Sequence, residues 1–394
     1  MNHHDLKAVC RPVGEASGLP NHHYTDDTTF AAERDALLFD GWAGVGFGKD
    51  VPERGSVKPI EFIGQPLLLI RTRDGDVRVF ENVCRHRGMI LVSEPGQLKG
   101  AIRCPYHSWC YGHDGKLVST PHVGGPGTNI HPDVDRDTLG LIEVRSHVWR
   151  DVVFINLSGN APPFDLHAQA LKDRWAEFEQ PIFHGGEDSS FKLEVECNWK
   201  LAVENYCESY HLPWIHPGLN AYSKLEDHYN IEQPSPSLGA FSGQGTTVYR
   251  PMISEDGARF SEFDGLSQQW NEGAEYIALY PNVLFGVHKD HAFAIVLEPK
   301  GLGKTVEHIE LYYADEAMTG SDYAQMRERN SKMWHEVFKE DIFVVEGMQR
   351  GRTANGFDGG RFSPVMDSPT HCFHRWAAER MRDFDEPTSR QAAE

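Results

Sequence analysis

The chain has 394 residues, 40% of them hydrophobic and 24% charged, enough apolar material for two or three real cores. A formal net charge of −20 argues against a nucleic-acid or anionic-membrane partner, since both need a basic face. Leu67–Ile70 is an apolar run of strand size, far short of a membrane span, and His3, His4, Asp5 and Lys7 form no signal-peptide core. Seven scattered cysteines do not make a disulfide framework, so the expected compartment is the reducing cytoplasm.

The first couple of dozen residues are polar and without period. Thr28 or Thr29 is expected to cap a helix running through Phe39, with Phe30, Leu37 and Leu38 turned inward. From Val51 the pattern shifts to short strands. Pro66–Arg71 and Val77–Phe80 flank Asp74-Gly75, a hairpin signal because glycine accepts the positive φ of such turns.

Cys84-Arg85-His86 is followed by Cys104-Pro105-Tyr106-His107, a C-x-H-x17-C-x2-H pattern. Two thiolates and two imidazoles on paired loops suit an iron–sulfur cluster in which two histidines replace two cysteines on one iron. Neutral histidine ligands raise the reduction potential, which makes an electron relay rather than a strong reductant. Zinc is the rival, but structural zinc sites usually begin with cysteines two to four residues apart. Arg87-Gly88 follows the first loop and Ser108-Trp109-Cys110-Tyr111-Gly112 the second; Asp114-Gly115 then offers another hairpin turn.

Val144–Leu157 is strand-like and closes this region, and Ala161-Pro162-Pro163 reads as a linker. Leu166–Phe178 is helical in pattern. Phe191–Cys197 alternates as a half-buried strand and leads into a helix capped by Asn198. In that helix Trp199, Ala202, Val203, Tyr206 and Tyr210 make an apolar face, while Glu204, Glu208 and His211 stack on another. Pro213 should end it near His211, leaving His216 in the following turn to bend back. Two imidazoles backed by carboxylates are the parts of a metal site; the same stretch also fits an amphipathic helix with its polar face in water.

Gln233–Gly265, rich in Pro, Ser and Gly, is expected to be a substrate lid or pocket wall. Tyr276–Phe285, His291–Leu297 and Glu307–Tyr313 read as strands. Asp322–Arg350 is helical, with Tyr323, Met326, Met333, Trp334, Val337, Phe338, Val344, Val345 and Met348 in one apolar stripe and Asp341 inside it. A carboxylate on a buried face costs several kcal/mol unless it is paired or bound to metal. A structural ion pair satisfies that condition; so does a 2-His-1-carboxylate set of His211, His216 and Asp341, which leaves positions open at a non-haem Fe(II).

Cys84–Leu117 resembles the Rieske domain of the Rieske non-haem iron oxygenases. Asn198-Trp199-Lys200, Glu204-Asn205, Tyr210-His211, His216, Glu340-Asp341 and Gln349-Arg350-Gly351 resemble the iron-binding segments of their catalytic domain. The resemblance implies an α+β fold: an N-terminal Rieske [2Fe-2S] β domain and a helix-backed antiparallel-sheet catalytic domain. The expected layout is residues 1–44 as an N-terminal segment with a helix on the catalytic domain, 45–160 as the Rieske domain, 161–383 as the catalytic domain and 384–394 as a loose tail.

The resemblance also implies that Cys84 and Cys104 bind one iron of the cluster, His86 and His107 the other, and His211, His216 and Asp341 a mononuclear Fe(2+) that works with O2. Glu208 and Asn205 are the further catalytic candidates. An external NAD(P)H reductase, with or without a ferredoxin, would supply electrons, and the absence of a nucleotide-binding Gly-rich fingerprint agrees. A homotrimer is implied, each cluster feeding the neighbouring subunit's iron across Glu208. Cys110, without a cysteine to match it in the first loop, is expected to be a free buried thiol.

Many ring-hydroxylating members carry aspartate where this chain has Glu208. Glutamate there resembles the subgroup acting on quaternary amines such as carnitine and glycine betaine, although Leu212-Pro213 replaces the cysteine that often follows its Tyr-His pair. The expected reaction is hydroxylation or N-dealkylation of a small quaternary amine. Trp214, Tyr222, Tyr229, Phe241, Tyr249, Phe285 and Phe293 are the expected pocket aromatics. An aromatic acid, with Arg250 or Lys289 as carboxylate partner, is the alternative substrate; a Rieske electron carrier or redox sensor is the alternative class, and it leaves His211, His216 and Asp341 without a purpose.

Overall fold

A computed structural model describes residues 3–233, 240–253 and 257–385. The chain divides into two compact units, Gly44–Asn160 and a second made of Met1–Ala43 with Ala161–Glu394.

The first unit is built on alternating short strands. Its seven-stranded sheet runs in the order Ala43–Phe47, Val152–Asn156, Glu143–Trp149, Val77–Glu81, Gln65–Arg71, Ser56–Phe62, Gly96–Gln97. The Asp74-Gly75 hairpin pairs Arg71 with Val77, and Gly75 takes φ 101° as such a turn requires. The stretch read as one strand over Val144–Leu157 is a hairpin, Trp149 facing Val152 across Arg150 and Asp151, both at positive φ. A small three-stranded sheet, Ile102–Arg103, Cys110–Tyr111 and Leu117–Ser119, stands beside it. Cys84, Cys104, Trp109 and Tyr111 are buried in one apolar cluster with Leu68, Phe80 and Leu117.

The second unit carries an eight-stranded antiparallel sheet. Its order is Phe183–His184, Thr305–Tyr313, His291–Pro299, Val283–Val287, Ala274–Leu279, Phe241–Thr246, His228–Gln233, with Ser190–Val195 also paired to Thr305–Tyr313. Three helices position the site: α1 (Trp199–Tyr206), α2 (Ala324–Gly351) and α3 (Ser368–Asp385). Preceded in the same unit by an unforeseen helix, His3–Val9, the expected early helix, Asp27–Glu33 continued by a wider turn over Arg34–Phe39, buries Phe30, Leu37 and Leu38. Its cap is Asp26 rather than Thr28 or Thr29: the Asp26 carboxylate accepts from both the amide and the hydroxyl of Thr29.

Three segments depart from expectation. Gln233–Gly265 contains the sheet strand Phe241–Thr246, while its residues 234–239 and 254–256 lie outside the described residues. The helix after Asn198 is shorter than expected: Asn198 does cap it, accepting from the Lys200 amide, but α1 stops at Tyr206. The expected loose tail begins inside α3, which continues to Asp385; the rest of it, 386–394, lies outside the described residues. No helix among the described residues is long and apolar enough to cross a membrane.

Candidate metal centres and the cavity beside them

The two cysteine–histidine loops of the first unit share one backbone design. The Cys84 amide donates to the Met89 carbonyl and the Gly88 amide to the Cys84 carbonyl, at 2.8 and 3.0 Å. The Cys104 amide donates to Trp109 and the Ser108 amide to Cys104, again at 2.8 and 3.0 Å. Gly88 and Ser108 both sit at positive φ, 72° and 57°, four residues after their cysteines. Each loop thus turns its cysteine inward, with Cys84 and Cys104 buried, His86 exposed and His107 half-buried. His86 stacks on Trp109 (4.7 Å, 10°) and meets His107 edge-on at 4.7 Å. Tyr111 places its hydroxyl 3.2 Å from Cys84 Sγ and accepts from the Arg85 amide. Burial, with the Cys104 thiol beside it, pushes the Cys84 thiol up, and the Tyr111 hydroxyl and the His86 amide pull it back only in part. His107 Nδ1 is buried without a hydrogen-bond partner. A ring nitrogen left bare beside two inward thiols fits an iron–sulfur cluster with mixed ligands. Cys110 is a free buried thiol.

In the second unit, the chain leaves α1 in a tight turn that Glu208 organises. Its Oε2 accepts from the amides of Tyr210 and His211, and its Oε1 lies 2.7 Å from His211 Nδ1. Glu208 and His211 therefore belong to a turn, not to a helix face shared with Glu204. Tyr210, expected on the apolar face, is 42% exposed. Pro213 opens a new short turn, Leu212–Ile215, and brings His216 back so that the two Nε2 atoms lie 3.2 Å apart. Asp341 Oδ1, from α2, lies 3.1 Å from His216 Nε2 and 3.7 Å from His211 Nε2. Glu340, one residue earlier, holds His216 Nδ1 at 2.7 Å.

Among the described residues these three side chains are the group whose ligand atoms lie close enough, within 4.8 Å of one another, to hold a metal ion. With both Nδ1 atoms engaged by carboxylates, the two Nε2 atoms and a buried Asp341 Oδ1 that makes no hydrogen bond converge on one point. Electrostatics agree. Burial works to lower His216, yet Asp341 and Glu340 more than offset it and raise its affinity for a positive charge. The donor set fits a mononuclear iron. Glu307 shares a smaller void with Asn205 and Asp341; its own burial and the Asp341 charge push its carboxyl up to about 8, so near neutrality it is mostly protonated.

A cavity opens on the triad. Tyr206 and Asn205 of α1, Trp334 and Phe338 of α2, and Tyr276, Gln244 and His228 of the sheet line it together with His211, His216 and Asp341. None of the seven expected aromatics is among these lining residues. Trp214 is 69% exposed. Tyr229 and Tyr249 give their hydroxyls to Glu275 and Asp290. Phe285 packs edge-on against Trp175, and Phe293 lies behind Trp334 and Phe338. Phe241 is core, and Tyr222 lies under Arg250. The α2 pair has the i, i+4 spacing of one helix face, with Asp341 at i+7 of Trp334; that signal was in the stripe. Gln244 carried none, lying in a glycine-rich segment.

Residues 41–132 match the Rieske [2Fe-2S] domain, and residues 185–383 match the ring-hydroxylating alpha subunit (catalytic domain). The chain belongs to the family of ring-hydroxylating alpha subunits, the Rieske non-haem iron oxygenases. It is the oxygenase component of a multicomponent enzyme, with a [2Fe-2S] cluster, a mononuclear iron and dioxygen as co-substrate. It is 26% identical to the carnitine monooxygenase oxygenase subunit of Acinetobacter pittii, over 89% of each chain. It is also 26% identical to the chloroplastic choline monooxygenase of Beta vulgaris, over 94% of this chain and 78% of that one. A solved quaternary ammonium Rieske monooxygenase, reported with insights into carnitine oxidation and inter-subunit electron transfer, superposes with a TM-score of 0.74 at 22% identity, covering 95% of this chain and 98% of that one.

Proposed function

We propose that this chain hydroxylates or N-dealkylates a small quaternary ammonium compound, drawing electrons from an external NAD(P)H-dependent reductase, directly or through a ferredoxin. The observation that carries this reading is the cavity at the triad, walled by Tyr206, Tyr276, Trp334 and Phe338. A ring face attracts a desolvated ammonium by about 0.5–2 kcal/mol, so a cage of three or four selects it. The relatives named for carnitine and choline agree. An aromatic acid is less well served: of its two expected partners, Arg250 lies over the Tyr222 ring and Lys289 pairs with Glu262.

In this reading Cys84 and Cys104 hold one iron of the cluster, His86 and His107 the other, and His211, His216 and Asp341 hold the mononuclear iron. Iron bound there supplies the activation of dioxygen. The protein's own part is orientation. Glu208 and Glu340 keep the His211 and His216 Nδ1 protons, which turns both Nε2 lone pairs toward Asp341. Gln244 donates to the Glu208 carbonyl and accepts from His228, which fixes the turn against the sheet. The aromatic walls exclude water from the reacting face. Three copies in a closed ring would set the half-buried His107 of one against Glu208 of the next, as head-to-tail contacts in cyclic symmetry allow.

The test is oxygen uptake by the reconstituted system with choline, carnitine and glycine betaine against aromatic acids, with assay of aldehyde products. Coupled turnover of the acids with the amines inert would overturn the substrate assignment and leave the family standing.

A further inference from the structure

Behind the cavity lies a buried polar cluster that the metal chemistry does not use. His288, Asp290 and His291 are each at most 1% exposed. The imidazoles of His288 and His291 stack at 4.2 Å and 5°. Trp334, a wall of the cavity, donates its indole N–H to His291 Nε2 at 2.9 Å. An indole nitrogen can only donate, so His291 Nε2 must be the bare nitrogen and Nδ1 must carry the proton. That proton is 2.8 Å from Asp290 Oδ1, which also accepts from the Tyr249 hydroxyl at 2.8 Å. Tyr276, whose ring meets that of Trp334 edge-on at 6.0 Å, places its hydroxyl 3.1 Å from His288 Nε2. Burial and the neighbouring His291 hold His288 well below the ordinary histidine range, so it is neutral.

Trp334 therefore spends its polar hydrogen on the far side, away from the cavity, and Tyr276 turns its hydroxyl the same way, to His288. What they offer inward is ring. A carboxylate that polarises His291 through Nδ1 makes Nε2 a better acceptor, and a stronger acceptor on the indole N–H leaves the ring more electron-rich; in a low-dielectric site such chains reinforce one another. Cation–π attraction grows with that electron density.

We infer that Asp290 and His291 are specificity-determining positioning residues: they fix the Trp334 ring in the cavity wall and strengthen its attraction for a quaternary ammonium group over a neutral group of the same shape. The inference rests on the quaternary-ammonium reading above.

The experiment is calorimetric binding to the purified, metal-loaded protein without reductant, using choline and its neutral carbon isostere 3,3-dimethyl-1-butanol. Wild type should bind choline more tightly than the alcohol. His291→Phe, which keeps the stack on His288 but removes the acceptor, should weaken choline about tenfold while changing the alcohol less than about threefold, the scale of one lost cation–π face. His291→Gln restores an acceptor and should recover most of the preference. Asp290→Asn, which keeps the shape and removes the charge, should fall between them and serves if His291→Phe does not fold, folding being checked by the visible spectrum of the cluster. Choline preference intact in His291→Phe, or in Asp290→Asn where the former cannot be made, overturns the inference and leaves the substrate reading in place. Equal loss of both ligands reduces the pair to scaffolding and overturns it too. No preference in the wild type overturns the substrate reading itself, and this inference with it.

Discussion

Glu340 and Asp341 are adjacent carboxylates with different work. Asp341 offers an oxygen with no hydrogen-bond partner to the point where two Nε2 atoms converge; Glu340 reaches the outer nitrogen of His216. Asp341→Ala is expected to lose the third iron and all turnover while the cluster spectrum stays intact, which iron analysis beside the visible spectrum checks. Glu340→Gln can still bond His216 Nδ1, but without the charge, so iron affinity should fall about 10- to 100-fold rather than vanish. Asp341 was legible in the sequence because a charge in an apolar stripe demands a partner. Glu340 was not, since successive helix residues point about 100° apart and the sequence alone does not say which outer side meets a histidine. Glu204 shows the other limit. It was grouped with Glu208 and His211, yet its carboxylate is buried among Tyr24, Arg352 and His374. Burial works to raise it, and His374, Arg352 and the Tyr24 hydroxyl outweigh that and hold it at about 2. A carboxyl depressed on folding adds stability above its unfolded value, near 4.5, and loses it as pH falls toward 2. Glu204→Gln should therefore lower stability near neutrality by on the order of 3 kcal/mol and flatten the acid limb between pH 4.5 and 2. Urea midpoints across that range check it.

At the scale of elements, α2 is what joins cavity to metal: Trp334, Phe338 and Asp341 at i, i+4 and i+7 share one face across two turns. One alanine inserted between Phe338 and Asp341 would turn everything beyond it by about 100° and carry Asp341 off that face. The expected variant folds with its cluster, lacks the mononuclear iron, and still offers Trp334 to a ligand; a retained third iron would show that the helix face does not position it. The periodicity made this helix readable, just as Asp-Gly and alternation made the Rieske hairpins readable. The strand Phe241–Thr246 was hidden by its glycines. Gly245 lies opposite Tyr229, whose ring a Cβ there would meet at 2.2 Å, and a Cβ on Gly243 would meet the Tyr276 carbonyl at 2.0 Å. Glycines that a sheet needs for close approach look, in sequence, like the glycines of a loop. The pocket aromatics were missed for a related reason: aromatic content marks a core or a cavity equally, and Phe241, Phe285 and Phe293 went to the core.

For the whole molecule, each chain carries both candidate ligand sets, the Cys–His loops in one unit and the triad in the other. In the proposed ring, Glu208 couples the two centres of neighbouring copies, because a carboxylate at His211 Nδ1 can also accept from a second imidazole, His107. Glu208→Gln should keep all three irons yet slow reduction of the mononuclear site in single turnover. Transfer within one chain and transfer between chains are then separated by complementation. Cys104→Ser should lose the cluster and Asp341→Ala the mononuclear iron, so neither homo-oligomer turns over. If electrons cross between copies, co-expressed mixed oligomers place an intact cluster from one chain beside an intact triad from the next, and activity returns. A closed ring of three needs only one such junction, which random mixing of equal amounts supplies in about three-quarters of assemblies, those that hold both kinds of chain. Differently tagged chains purified in tandem give the mixed population. Activity there, with none in either parent, fixes the inter-subunit route; inactive mixed oligomers that carry both metals would place transfer inside a single chain and remove the reason for Glu208 to face a neighbour.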